Sequence, residues 1–263
     1  MAPSTSNIFG ELRYEQRLIA FFDTLGWKNQ IEHAGDDPYR IARLASLPRQ
    51  FSRAVTGLAE RVAGARITSF SDNVVASIPY KTEYLFPTLD ALARIQFGAA
   101  AQGFLIRGAV TVGQLYHDEE IVFGPGLNRA YELESNKVSG AIYPRIILDP
   151  ATSLKDFFPY AADFLSSDTH HTFINPFNYS FLERAFATDP ISPDMRTQFE
   201  KSMRISVPEL SSMDPMQCLV LVYLKILEDM ENTTGKVREK YVWLVEQMKS
   251  SIVEIEALQS KGS

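Results

Sequence analysis

The chain of 263 residues holds a single cysteine, Cys218, so no disulfide can form within it. That cysteine sits in the apolar run Cys218-Leu219-Val220-Leu221-Val222-Tyr223-Leu224, which reads as a buried thiol in a reducing compartment rather than a nucleophile. Basic residues are in short supply, 26 Lys and Arg against 32 Asp and Glu. The resulting net charge of −6 excludes a protein built to neutralise a nucleic-acid backbone, while leaving room for a local basic pocket. No stretch approaches the roughly 20 apolar residues that span a bilayer, and the segment Met1 to Arg17 has no apolar core of the signal-peptide kind. A cytoplasmic protein with neither a membrane nor a nucleic-acid partner is expected. Internal repeats and low-complexity tracts are also missing.

What is present is ordinary for a chain that buries a core, 45% apolar and 22% charged. Leu18-Ile19-Ala20-Phe21-Phe22 reads as a buried strand that delivers Asp23 to its C-terminal edge, a favoured place for chemistry. Two helices are predicted next, Trp27 to Ala34 and Asp37 to Val62, the second with an apolar stripe of Leu47, Phe51, Val55 and Leu58. Arg66 to Ser69 and Asn73 to Ile78 form a predicted hairpin with Ser71-Asp72-Asn73 at its tip.

A helix from Tyr84 to Gln102, with Leu89, Leu92, Ala93 and Phe97 on one side, is predicted to end at Gly103. Strand character follows over Phe104 to Val112 and again at Ile121-Val122-Phe123, separated by a charged turn, His117 to Glu120. A helix over Leu127 to Glu134 and a strand over Arg145 to Leu148 complete this part. Residues 152 to 192 read as loop-rich, and two helices are predicted between Pro215 and Leu258, broken at Gly235. The expected organisation is one domain over residues 1–150 and a mostly helical extension over 151–263, packed on the core or on a subunit interface.

Four phrases are specific: Phe21-Phe22-Asp23-Thr24-Leu25-Gly26, Phe70-Ser71-Asp72, Arg107-Gly108-Ala109-Val110-Thr111-Val112-Gly113, and Phe123-Gly124-Pro125-Gly126-Leu127-Asn128. Their order and content resemble the class III adenylate and guanylate cyclases, over roughly Leu18 to Asp149. Within that superfamily, Phe104-Leu105-Ile106-Arg107-Gly108 and Ala130-Tyr131-Glu132-Leu133-Glu134 are most similar to the bacterial Pycsar cyclases, which make cyclic pyrimidine nucleotides in anti-phage defence. The resemblance implies an α+β, ferredoxin-like or palm-type fold, with a mainly antiparallel sheet and helices on one face.

It also implies a chemistry. Cyclisation sends the ribose 3′-oxygen in line onto the α-phosphorus, and two divalent ions, magnesium or manganese, stabilise the oxygens. Asp23 and Asp72 are the implied metal ligands, joined by the Thr24 carbonyl. The amides of Leu25, Gly26 and Trp27, with Lys28 nearby, are the expected cradle for the triphosphate. Asn128 aligns with the family's ribose-orienting asparagine, a plain N-cap being the alternative. The family's transition-state arginine falls at Glu132, so Arg129 or Arg107 is expected to supply that charge, or else the chain is a degenerate binder.

The two base-reading positions of the family's purine cyclases fall at Thr68 and Ile121, which cannot make the paired contact with adenine. UTP is the expected substrate and CTP the alternative, with Thr68, Arg107 and Tyr116 as donor candidates. The family's shared active sites imply a homodimer.

Overall fold

The computed structural model describes residues 13–136, 140–153, 163–188 and 215–262. Its centre is β1 (Glu15–Thr24), buried on both faces from Arg17 to Phe22 because every residue from Leu18 to Phe22 is apolar. After α1 (Trp27–Ala34) and α2 (Pro38–Ala59) comes the hairpin of β2 (Arg66–Phe70) and β3 (Asn73–Pro79). The long helix α3 (Thr82–Ala101) leads to β4 (Ile106–His117), β5 (Val122–Phe123) and α4 (Pro125–Ser135). Beyond residue 145 lie β6 (Ile146–Leu148), β7 (Leu165–Ser167), β8 (Thr172–Ile174), α5 (Tyr179–Thr188), α6 (Pro215–Glu231) and α7 (Gly235–Gly262).

The fold is α+β. One sheet runs β2-β3-β1-β4-β6-β8-β7, with β5 paired to β4. Its pairs are antiparallel except β4 with β6. Leu18, Ala20 and Phe22 face the main helical layer, where all four stripe residues of α2 and all four of α3 are buried. Ile19 and Phe21 face the other way, where they cluster with Leu115 of β4 and Ala130 of α4. Two glycines let α4 lie close: a Cβ on Gly113 would come within 2.8 Å of the Gly126 Cα, and one on Gly126 within 2.3 Å of Ile19 Cδ1.

The segment read as a loop-rich and then helical extension also contributes β7 and β8, which continue the sheet through β6. Three-residue strands are too short to show a period of two, so pattern reading passes over them. The break between the last two helices does fall at Gly235, whose φ is +55°. Cys218 is fully buried, as its apolar run requires, and Ile226 of α6 packs in the same core. Among the described residues no helix is long and apolar enough to cross a membrane.

Candidate active site

The strand register carries the two aspartates to one end of the sheet. Phe22 pairs with Val74, so Asp23 lies one residue past that rung and Asp72 two residues past it on the neighbouring hairpin. On its other side Asp23 is the register partner of Arg107 on β4. The guanidinium grips both carboxylate oxygens, Nε donating to Oδ1 at 2.9 Å and Nη2 to Oδ2 at 3.1 Å. This fork-to-fork pairing is the strongest geometry available to an exposed or half-buried ion pair.

A third carboxylate, which sequence reading missed, completes the cluster. Glu134 on α4 is 3% exposed, and its Oε1 lies 2.7 Å from Arg107 Nε, whose single proton is already directed at Asp23. Burial, followed by the negative charge of Asp23, pushes Glu134 up to about 7, against the opposing pull of Arg107 and Lys240. The signal for Glu134 was in the sequence: it falls at i+7 and i+4 from Leu127 and Ala130, on the buried stripe of α4.

Lys240, on α7, is the fifth charged group of the cluster and had no local signal at all. Its ammonium is drawn down by burial and then by Arg107, while Asp23 and Glu134 pull it back. The helix is held there by Trp243, which packs against Leu133, Ala109, Ile147 and Phe173 and stacks on Tyr143 with ring centroids 5.2 Å apart. Arg107 feels burial first, yet the hydrogen bond and charge of Asp23, with Glu134 and Asp72, hold its guanidinium above the ordinary value.

The loop after Asp23 departs from expectation at one amide. The Leu25 N–H donates to the Leu105 carbonyl at 2.7 Å, extending the strand pairing, so it cannot cradle a phosphate. Gly26 adopts φ +75° as the N-cap of α1, a conformation that suits glycine, and the first amides of that helix have no intrahelical acceptor. Trp27 turns its ring into the core against Phe104, 6.2 Å between centroids, so only its backbone faces the loop. The Lys28 side chain is 87% exposed and 3.7 Å from Glu32 rather than turned toward Asp23. The Thr24 hydroxyl is buried without a hydrogen-bond partner among the described residues.

Arg129 is spent elsewhere. It forms a bidentate pair with the buried Asp149, Nε to Oδ2 at 2.9 Å and Nη2 to Oδ1 at 2.8 Å, and Asp149 also accepts from Thr111 Oγ1 at 2.7 Å. Asn128 and Glu132 are exposed on α4. The helix starts at Pro125 with Gly124 as its N-cap, so Asn128 is not the cap.

Thr68 belongs to a different group, on β2. Its Oγ1 lies 3.0 Å from His117 Nε2, while His117 Nδ1 lies 2.7 Å from Ser77 Oγ, which in turn accepts from Arg17 Nε at 2.9 Å. Ser77 is buried, and the imidazole is the acceptor at hand for its hydroxyl proton. Nδ1 is therefore the accepting nitrogen and Nε2–H donates to Thr68, which leaves the Thr68 proton free to be donated outward. Tyr116, another donor candidate, is committed to Asp118 at 2.8 Å, and Ile121 is exposed.

Burial, then the charges of Arg17 and Arg66, push His117 down to about 4. A histidine that titrates near 6.5 unfolded and about 4 folded binds fewer protons in the folded chain. Its effect on stability is therefore absent above pH 6.5 and becomes an increasing penalty as pH falls from 6.5 toward 4. In denaturant titrations, His117→Gln is expected to keep about 2 kcal/mol more of its neutral-pH stability at acid pH than the parent chain does. Equal acid slopes would show that the ring takes up its proton without unfolding.

The chemistry of Asp23 and Asp72 suits a hard divalent cation, since Asp23 offers carboxylate oxygens from the end of β1 and Asp72 from the hairpin tip between β2 and β3. Both oxygens of Asp23 accept from Arg107, so an ion there would take their remaining lone pairs or displace the guanidinium from one of them. Among the described residues no cluster of three or more metal-binding side chains is preassembled.

No protein-family model matches the chain, and no curated protein does. Solved structures do. The adenylyl cyclase CyaB from P. aeruginosa is 14% identical with a TM-score of 0.42, over 62% of this chain and 92% of that one. The guanylyl cyclase Cya2 is 12% identical with a TM-score of 0.38, over 61% of this chain and 91% of that one. A class III adenylyl cyclase-like ATP-binding protein from Pseudomonas aeruginosa is 13% identical with a TM-score of 0.40, over 78% of this chain and 45% of that one. These levels describe a general likeness in the arrangement of sheet and helices, and what the site can do is argued from its own residues.

Proposed function

We propose that the chain is a class III nucleotidyl cyclase that converts UTP to 3′,5′-cyclic UMP and diphosphate. The observation that carries this reading is the pair Asp23 and Asp72, brought by strand register to one end of the sheet beside the N-terminus of α1. Asp23 and Asp72 would hold magnesium or manganese, which supplies Lewis-acid stabilisation of the attacking and leaving oxygens. Arg107 supplies positive charge at the same place, exchanging its hold on Asp23 for a phosphate oxygen through Nη2 while its Nε proton, released by Asp23, turns to Glu134. Lys240 adds a second cation from α7, and the amides of Gly26 and Trp27 are suited to a phosphate.

Base choice follows from the direction of one proton. A Thr68 hydroxyl whose proton is free to be donated outward favours a base with a carbonyl, such as O4 of uracil, over the 4-amino group of cytosine. In the homodimer that the cyclase resemblance implies, Asn128 and Arg129, exposed on α4, would serve the partner's site, Arg129 after release from Asp149. The place of such a product in anti-phage signalling is carried by the sequence likeness to Pycsar cyclases.

A second reading has its own support. Arg107 closed on both Asp23 oxygens and Glu132 standing at the arginine position favour a binder that has lost turnover. Purified protein incubated separately with UTP, CTP, ATP and GTP in manganese, with products identified by mass, distinguishes them. Cyclic UMP as the main product is expected. Cyclic CMP would correct the base, cyclic purine products would overturn the Thr68 argument, and nucleotide binding without product would establish the binder.

A further inference from the structure

At the opposite end of β1 from Asp23 lies a cavity of about 500 Å³ lined by Arg13, Glu15, Arg17, Arg66, Tyr116 and His117 among others. Glu15 and Arg17 precede Asp23 by eight and six residues on the strand, roughly 20–26 Å at about 3.3 Å per residue. The cavity is therefore separate, within one chain, from the carboxylate cluster.

Its charge is unbalanced. Arg17 is fully engaged, donating to Ser77 Oγ, to Glu15 Oε2 at 2.9 Å, to the Ser77 carbonyl at 3.3 Å and to the Gly64 carbonyl. That pairing consumes Glu15, the one carboxylate among the described residues of the lining. Among the described residues neither Arg13 nor Arg66 has a carboxylate partner, and Arg66 has only a long contact, 3.5 Å, from Nη1 to the Ala65 carbonyl. Two unpaired guanidiniums thus face one concave space in a chain whose overall charge is −6. The positive field is felt inside the wall, where Arg17 and Arg66 both act against protonation of His117.

We propose that this cavity is an anion site for a compact phosphate or diphosphate group, free or carried by a small metabolite, with Arg13 and Arg66 as its direct contacts. Arg17, locked by Ser77, Gly64 and Glu15, is a fixed background charge rather than a mobile ligand. Guanidiniums match phosphate oxygens in pairs, and the space exceeds what one phosphate fills. The proposal stands whether or not the chain is a cyclase.

The test is calorimetric titration of the full chain with inorganic pyrophosphate and, separately, UDP, in EDTA so that metal-dependent binding is suppressed. Saturable binding that weakens at least about tenfold in both Arg13→Ala and Arg66→Ala, and falls steeply with added salt, is expected. Both side chains are exposed, so neither change disturbs the core. Saturation by pyrophosphate identifies a free diphosphate as sufficient, and binding of UDP alone that is weakened in both arginine variants identifies a metabolite-borne one. Asp72→Asn should leave the affinity unchanged. No binding of either probe, binding indifferent to both arginines, or binding lost in Asp72→Asn would each overturn the proposal.

Discussion

Replacing Asp23 or Asp72 with alanine is expected to abolish formation of the cyclic product, by at least about a thousandfold, while the far-ultraviolet dichroism stays that of the parent chain. The two variants should differ in a second respect. Asp72 is half-buried at a hairpin tip and forms no ion pair among the described residues, so its loss removes charge and little else. Loss of Asp23 frees both donors of Arg107 and leaves the guanidinium with Glu134 alone. Glu134 then no longer shares its space with the Asp23 charge and is expected to titrate lower, because that charge is the second cause of its elevation. Carbon-detected titration of labelled glutamates in Asp23→Ala would read this directly. Full turnover in either variant would remove the two-carboxylate mechanism.

The second large effect is on stability. Gly113→Val places a side chain where the backbone of Gly126 stands, 2.8 Å from a would-be Cβ, and backbone cannot step aside as a side-chain tip can. α4 must move off the sheet, at a cost of about 3 kcal/mol and a fall in Tm on the order of 6–12 °C. Because α4 also carries Glu134, the same shift should reduce turnover. Gly57→Ala is the matched control: it lies within α2 with nothing within 4 Å of an added Cβ, and is expected to be neutral or slightly stabilising. Thermal melts of both variants decide the point, and an unchanged Tm in Gly113→Val would mean that the strand and helix are not held in this close contact.

What could be read from the residues was what is local. The apolar run of β1, the α2 stripe of Leu47, Phe51, Val55 and Leu58, and Asp72 at a hairpin tip all follow from short-range spacing, and all stand where they were expected. Glu134 was legible only to a reader who asked why a carboxylate falls on an apolar stripe. Lys240 was not legible, because its approach to Asp23 depends on where Trp243 docks more than a hundred residues of sheet and helix later. The Leu25 amide was misread for a related reason: whether a loop N–H is free depends on how far the neighbouring strand continues, and Leu105 continues it by one more bond. His117 is a third case, a residue at a predicted turn that becomes buried because β4 is long enough to bring it against Ser77.

The docking of α7 also sets a clock. During synthesis Asp23 and Asp72 leave the ribosome well before Lys240, which brings a cation to the same cluster, and Trp243, which docks its helix. At about 5–20 residues per second the interval between Asp72 and Lys240 is on the order of ten seconds or more, longer than the elementary steps of folding a helix or a hairpin. The nascent chain therefore holds a carboxylate pair without its distal cation throughout that interval, and the cluster closes only once α7 has emerged.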